Sequence, residues 1–483
     1  MQFAISYIIN FISSKKTMFF SIMGFLKSSS LIKIQNILAK FPLTKPSQIH
    51  SHGRTKLRPN EVLKEYLKTN ATAKALFLFR DLIRKSISSI DSFSLLYITK
   101  VCTRKSLPHE GRQFHTLVVK FGYEPIIFIQ TSLVSYYSSV ANLADARQVF
   151  DEMLTKNVVC WTVLISAYVD NQKPNSALKL FREMQMDNLE PDQITLTVTL
   201  SACADLGALD MGKWIHNYIR RSKKLDKDLS LYNALLNMYT KCGDIETAKI
   251  LFVSIEKKDV KTWTSMITGY AIHGQATEAL SLFRAMTQTK IIPNDVTFIG
   301  VLMACSHVAM VDDGKRYFKK MTEDYGLKPR ISHFGCMVDL LCRAGLLQEA
   351  KDFILQMPVK PNAVLWRTLL GACGNSGGVD LAEDVRGRLF ELEENWAGDD
   401  VIMGNIYGSS GIWDKKEITR NRINERRVPG CSWIEVGSEI NEFVAGDCDH
   451  PFACKIYEVI ESLMGNMRAY VCSFDLSESC NVK

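Results

Sequence analysis

The chain has 483 residues, 47% hydrophobic and 23% charged, the proportions of an ordinary folded protein, with 13 Pro and 27 Gly, too few for a collagenous or linker-rich chain. No uninterrupted apolar run reaches the ~18 residues that a membrane-spanning helix needs. The net charge of +8 sits wholly in residues 1–60, which hold nine Lys or Arg and no acid, leaving 50 basic against 51 acidic residues beyond; the body is not a generically basic nucleic-acid binder, and any such function must rest on local surfaces.

Residues 1–50 lack acids, are rich in Ser (Ser13, Ser14, Ser28, Ser29, Ser30) and carry Lys between short apolar runs (Lys15, Lys16, Lys27, Lys33, Lys40). That composition matches an organellar transit peptide, with mitochondrion and chloroplast both open, because Arg is absent before Arg54 while the apolar runs are long. A secretory signal is the competing reading, but no small-x-small cleavage site follows the stretch 17–26, and thirteen scattered cysteines do not form a secreted disulfide framework.

Beyond this segment the chain repeats at about 102 residues. Val158, Trp161, Thr162, Tyr168, Ala177, Leu178, Leu180, Phe181, Arg182, Met184 and Pro191 recur as Val260, Trp263, Thr264, Tyr270, Ala279, Leu280, Leu282, Phe283, Arg284, Met286 and Pro293. A weaker earlier copy shows Ala75, Leu76, Leu78, Phe79 and Arg80. Cys102, Gly111 and His115 return as Cys203, Gly212 and His216, then as Cys305 and Gly314; Tyr137, Ala146 and Phe150 return as Tyr239, Ala248 and Phe252. Each period splits into three units of roughly 31 to 36 residues. A unit reads as two helices: in 229–259, Leu231, Leu235, Leu236 and Tyr239 mark one helical face, Gly243 interrupts, and Ile245, Ala248, Leu251 and Phe252 mark the second. Neither helix buries its stripe alone, so the units must stack into an all-α solenoid, a superhelix whose hand the periodicity leaves open. Cys102, Cys203 and Cys305 then read as small apolar residues at one helix contact rather than metal ligands, and Trp161, Tyr168, Trp263 and Tyr270 as core.

The repeats resemble the pentatricopeptide repeats of plant organellar proteins, in the subgroup that alternates standard, long and short motifs (PLS). Residues 158–192 and 260–294 are similar to the standard motif, 194–219 to the long type and 231–252 to the short type. The likeness parses residues 56–362 into about nine motifs (56–91, 92–126, 127–157, 158–192, 193–228, 229–259, 260–294, 295–330 and 331–362) and implies a right-handed superhelical solenoid of helix-turn-helix repeats. Residues 363–463, including NIYGSSGIWD (405–414) and PGCSWIEVGSEINEFVAGDCDHP (429–451), resemble the family's E and E-plus extension, expected to be short and helical, and 464–483 diverge as a tail. Longer relatives carry a DYW deaminase domain; zinc deamination needs His-x-Glu and Cys-x-x-Cys, and neither occurs here, so the expectation is no enzyme, no metal and no cofactor.

The resemblance implies that the fifth and last residues of a motif read one base. Carried over, the pairs are Asn60/Asp91, Thr131/Asn157, Thr162/Asp192, Asn233/Asp259 and Thr264/Asn294, with Thr197/Asp228 in a long-type motif where the rule is weaker. The implied bases, U for Asn/Asp, A for Thr/Asn and G for Thr/Asp, give 5′-U-x-A-G-x-U-A-3′. The motifs 92–126 (Leu96, Ile126), 295–330 (Ile299, Arg330) and 331–362 (Gly335, Asn362) depart from readable pairs. The chemistry is consistent, since a carboxylate only accepts hydrogen bonds and an amide both donates and accepts. The competing reading is that Asp192, Asp228, Asp259 and Asn294 merely cap helices. Lys213, Lys249 and Lys315 are weak phosphate-contact candidates on what reads as a solvated face.

The expected function is recognition of single-stranded organellar RNA at a C-to-U editing site, with a deaminase-bearing partner or editing accessory factor acting in trans. Trp433 and Ile434 are the candidate docking residues, against a small core under the last helix at even weight. Splicing or transcript stabilisation, and a helical-repeat protein scaffold, are the alternatives.

Overall fold

The computed structural model describes residues 59–85, 90–222, 225, 228–376, 378–392, 397–422, 431–436, 439–444 and 453–478. Residues 1–50, expected to be a transit peptide, lie outside these. The chain divides into two compact units, 1–155 and 156–483.

The first unit holds six helices among its described residues: α1 (Pro59–Lys68), α2 (Thr72–Lys85), α3 (Ser92–Lys105), α4 (Pro108–Lys120), α5 (Ile127–Ser139) and α6 (Leu143–Asp151). α1, α3 and α5 pack side by side as one layer, and α2 and α4 wedge behind them, each against its own partner and the next first helix. In the second unit the order continues through α7 (Val158–Asp170), α8 (Pro174–Met186), α9 (Gln193–Leu206), α10 (Leu209–Arg221), α11 (Leu229–Cys242), α12 (Ile245–Ser254), α13 (Val260–Ile272), α14 (Ala276–Thr287), α15 (Asp295–His307), α16 (Val311–Glu323), α17 (Ile331–Arg343) and α18 (Leu347–Leu355). Odd-numbered helices form one layer and even-numbered helices the other. This is the helical-repeat solenoid that the periodicity demands.

The expected faces are the buried ones: Leu235, Leu236, Tyr239, Ala248 and Phe252 are core, and Gly243, at φ +87°, ends α11 in the left-handed conformation. Cys102, Cys203 and Cys305 are fully buried at the helix contact, and burial pushes the Cys102 and Cys305 thiols up to about 12. The recurring glycines sit where an outer helix crosses the next inner one. A Cβ on Gly111 would enter the Tyr136 ring, on Gly212 the Met238 thioether and on Gly314 the Leu340 side chain. Beside them the repeated histidines and tyrosines meet: His115 Nδ1 and the Tyr137 hydroxyl are 2.8 Å apart, as are His216 Nδ1 and Tyr239.

The stack does not stop at residue 362. α19 (Ala363–Ser376), α20 (Val379–Leu392), α21 (Ala397–Ser409) and α22 (Trp413–Arg422) continue both layers, and one core runs unbroken from Val338 and Leu341 through Trp366 and Leu370 to Ile406 and Tyr407. Beyond these helices the extension adds an antiparallel hairpin, β1 (Cys431–Val436) with β2 (Glu439–Val444), which helical periodicity does not reveal. The last described helix, α23 (Ala453–Glu478), runs across residue 463, the boundary expected between extension and tail.

Candidate nucleic-acid interface

The last residue of every candidate motif caps the helix that follows. The side-chain oxygens of Asp91, Asn157, Asp192, Asp228, Asp259 and Asn294 accept the backbone N–H three residues on, from Ser94, Cys160, Thr195, Leu231, Thr262 and Thr297, at 2.8 to 3.0 Å. Capping is therefore real at all six. It occupies one oxygen and leaves the rest of each polar group for other contacts.

In four motifs the fifth residue joins the cap in a small network. Asn60 Nδ2 donates to Asp91 Oδ2 (2.7 Å), and the Ser94 hydroxyl lies 2.6 Å from Asn60 Oδ1 and 2.8 Å from Asp91 Oδ1. Asn233 Nδ2 donates to both Asp259 oxygens (3.1 and 3.3 Å), with the Thr262 hydroxyl 2.8 Å from Asn233 Oδ1 and 2.8 Å from Asp259 Oδ1. Thr162 and Thr264 lack an amide and reach their caps through a hydroxyl: Thr162 Oγ1 is 2.6 Å from Thr195 Oγ1, which is 2.7 Å from Asp192 Oδ1, and Thr264 Oγ1 is 2.8 Å from Thr297 Oγ1, which is 2.9 Å from Asn294 Oδ1. Burial would push the Asp91 and Asp259 carboxyls up, but the hydrogen bonds from Ser94 and Asn60, and from Thr262 and Asn233, outweigh it and hold both below the ordinary carboxylate range.

The other two pairs differ. Thr197 bonds only its own helix, to the Gln193 carbonyl (2.8 Å), and the residue three beyond Asp228 is the buried Leu231. Thr131 bonds the Ile127 carbonyl (2.8 Å), and the residue three beyond Asn157 is Cys160, a thiol where the other networks have a hydroxyl.

Part of this set, Thr197, Asn233, Asp259, Thr264 and Asn294, lines a groove of about 560 Å³, with Lys261 and Val296 beside them. Sequence reasoning missed two groups here. The hydroxyls of Ser94, Thr195, Thr262 and Thr297 were visible as Ser or Thr three residues after each Asp or Asn, a capping spacing. The second row stands two residues after the cap: Phe93, Phe128, Val159, Ile194 and Val296 are exposed although apolar, and Phe93 and Phe128 stack with centroids 5.5 Å apart. Within each unit these side chains offer apolar surface of the kind that packs on the flat face of a base, while Ser230 and Lys261 hold the same position after Asp228 and Asp259.

Models of the PPR repeat family match residues 156–205 and 258–307, and of the PPR repeat residues 230–260 and 332–360. A pentatricopeptide repeat-containing protein of Arabidopsis thaliana is 37% identical over 409 residues, covering 77% of this chain and 77% of that protein. The chain belongs to the pentatricopeptide repeat family. A second Arabidopsis relative, named as chloroplastic/mitochondrial, is 38% identical over 411 residues, covering 82% of this chain and 64% of its own; a third, named as chloroplastic, is 38% identical over 388 residues, with 80% and 52% covered. The chain thus spans less than two thirds of these two relatives' length. Among solved structures, the maize pentatricopeptide repeat protein PPR10 matches at 18% identity and a TM-score of 0.41, over 76% of this chain and 59% of that one. Its complex with an 18-nt psaJ RNA element matches at 17% and 0.36, over 80% and 56%.

The remaining candidates of this pentatricopeptide repeat chain lie away from the groove. Lys213 and Lys315 sit on outer helices, held by Asp244 (3.1 Å) and Glu349 (2.5 Å) of the next outer helix, and Lys249 is exposed on α12 in the same layer. Trp161, Trp263 and Tyr270 are buried, and Tyr168 is half-buried. After Asn294 the pattern breaks, since Arg330 stands where a cap acid or amide would, paired to Asp295 (2.7 Å), and the cap returns at Asn362, whose Oδ1 accepts the Leu365 N–H (3.2 Å). Trp433 and Ile434 are both exposed, at 43% and 55%, but as adjacent residues of β1 they point to opposite faces of the hairpin. No single flat partner surface meets both.

Proposed function

We propose that the chain is a sequence-specific single-stranded-RNA-binding protein of an organelle, which recognises the sequence upstream of a C-to-U editing site while a deaminase acts in trans. The observation that carries the reading is the donor and acceptor pattern of the networks. Thr195 gives its one proton to the Asp192 carboxylate, the stronger acceptor, so Thr162 gives its own to Thr195 and turns only lone pairs outward. Thr162/Asp192 then presents acceptors alone, which suits guanine's N–H edge. In Thr264/Asn294 the Thr297 N–H holds the Asn294 amide oxygen, so its NH2 end is the free donor beside the Thr264 lone pairs, a mixed edge that suits adenine. Asn233/Asp259 and Asn60/Asp91 pair an amide donor with a carboxylate, which suits uracil.

The names of relatives that place those proteins in chloroplasts or mitochondria support an organellar location. In this reading the chain is not itself an enzyme. The PLS array holds the RNA, and the E and E-plus extension, continuous with it, carries the partner and raises the deaminase's effective concentration at one cytidine. Trp433 and Ile434 contribute to docking from one hairpin face each.

Gel-shift binding of the full chain tests this. One RNA carries U-x-A-G-x-U-A; another exchanges A and G at the bases assigned to Thr131/Asn157 and Thr162/Asp192. Preference for the first, inverted by Asn157→Asp with Asp192→Asn, is the expected result, with a salt dependence set by phosphate contacts. Equal, weak binding to both removes the base-reading claim and leaves the protein scaffold in its place.

A further inference from the structure

We propose that the hydroxyl on the third residue of the following helix (Ser94, Thr195, Thr262 and Thr297) is a specificity-determining positioning residue, which sets the direction of the hydrogen bonds in the pair and so decides the base it accepts. The inference rests on the base-reading function and adds residues that lie outside the fifth and last positions.

The argument is one of proton count. A hydroxyl has one proton to give. Thr162 has two acceptors in reach, the Val158 carbonyl at 2.8 Å and Thr195 Oγ1 at 2.6 Å. If Thr162 gave its proton elsewhere, Thr195 would have to donate to Thr162, and its oxygen would face the Asp192 carboxylate at 2.7 Å with no proton between them. The carboxylate forbids that arrangement, and the relay runs Thr162 to Thr195 to Asp192. Remove the Thr195 hydroxyl and the Thr162 proton is no longer committed to the relay, so Thr162 donates to adenine as readily as it accepts from guanine. Thr297 does the same work for Thr264. In the amide pairs the carboxylate holds the NH2 end of Asn60 and Asn233, and Ser94 and Thr262 stand 2.6 and 2.8 Å from the Oδ1 left on the other side. Thr262 and Thr297 also accept from the backbone N–H of the cap residue, which anchors the hydroxyl to the helix start. Leu231 occupies the equivalent position after Asp228, so the Thr197/Asp228 pair discriminates less than the four pairs that carry a hydroxyl there.

The experiment compares the full wild-type chain with Thr195→Val, Thr195→Ser and Thr297→Val, on RNA carrying U-x-A-G-x-U-A and single-base variants of it. For Thr195→Val the guanine-over-adenine ratio at the base of Thr162/Asp192 falls about tenfold, the size of one net hydrogen bond, while the ratio at the base of Asn233/Asp259 is unchanged and Thr195→Ser restores the loss. Thr297→Val relaxes the adenine preference at the base of Thr264/Asn294 in the same way, and serves if Thr195→Val fails to fold. A wild-type ratio retained in the valine variants overturns the proposal and leaves base reading intact, as does a uniform loss at all bases, which marks a purely structural cap. A wild type that discriminates at no base overturns the base-reading function and this inference with it.

Discussion

The repeat array and the extension share one architecture and differ at one joint. In the array the fifth residue of a motif meets the third residue of the next inner helix: Thr162 with Thr195, Asn233 with Thr262, Thr264 with Thr297. In the extension the same register holds Arg367 and Asp399, 2.9 Å apart, and Arg386 reaches in from α20 to Asp399 (3.9 Å) and Asp400 (2.6 Å). Both aspartates and Arg386 are buried. Hydroxyl and amide networks, each built on one cap carboxylate or amide with no cation in it, join the array. The extension spends the same position on a buried ion cluster, whose charges are satisfied by one another. The difference teaches that in this fold one joint carries either a cation-free hydrogen-bond network or a buried ion cluster, according to its side chains, and the proposed recognition uses the first.

The comparison breaks most sharply at the ion cluster. Asp399→Ala removes the carboxylate that Arg367 holds at 2.9 Å and leaves three charges of the buried cluster unbalanced, and the expected loss is about 3–5 kcal/mol of stability, read as a lowered melting temperature with the base preferences of the array unchanged. Next is Gly212→Val, which drives a branched side chain into Met238 and costs about 1–3 kcal/mol by overpacking; urea unfolding measures it, and an unaltered midpoint would contradict the close helix crossing. Asn233→Ala is expected to cost about 1–2 kcal/mol of uracil preference at its own base while Arg367→Ala costs none, so single-base RNA variants separate a recognition joint from a structural one. The smallest effect is in pH. Asp91 and Asp259 have carboxyls held below the ordinary range, so the stability they contribute is present above the unfolded-state value and is lost as pH falls through the folded one. Acid titration of thermal stability should show a shallower decline in Asp259→Asn than in wild type.

Much of this was legible in one dimension because repeats write the same contact several times. Leu235, Leu236 and Ala248 declare buried faces through helical spacing, and Asp or Asn before a helix declares a cap. The hydroxyl networks were less visible, since Thr262 serves its own helix start three residues away and Asn233 twenty-nine residues away, and only the first partner is local in sequence. The hairpin went unread because Trp433 and Ile434 suggest one apolar patch as a string and two faces as a strand.

The sequence by itself determined the architecture: amphipathic stripes that no single helix can bury, recurring at a fixed period, leave stacking as the one stable solution, and membership of the pentatricopeptide repeat family follows from the same residues. Only the tertiary structure decided which polar side chains share a proton. Hydrogen-bond direction depends on distances of about 3 Å between side chains one full repeat apart, and those distances exist only when neighbouring repeats are packed.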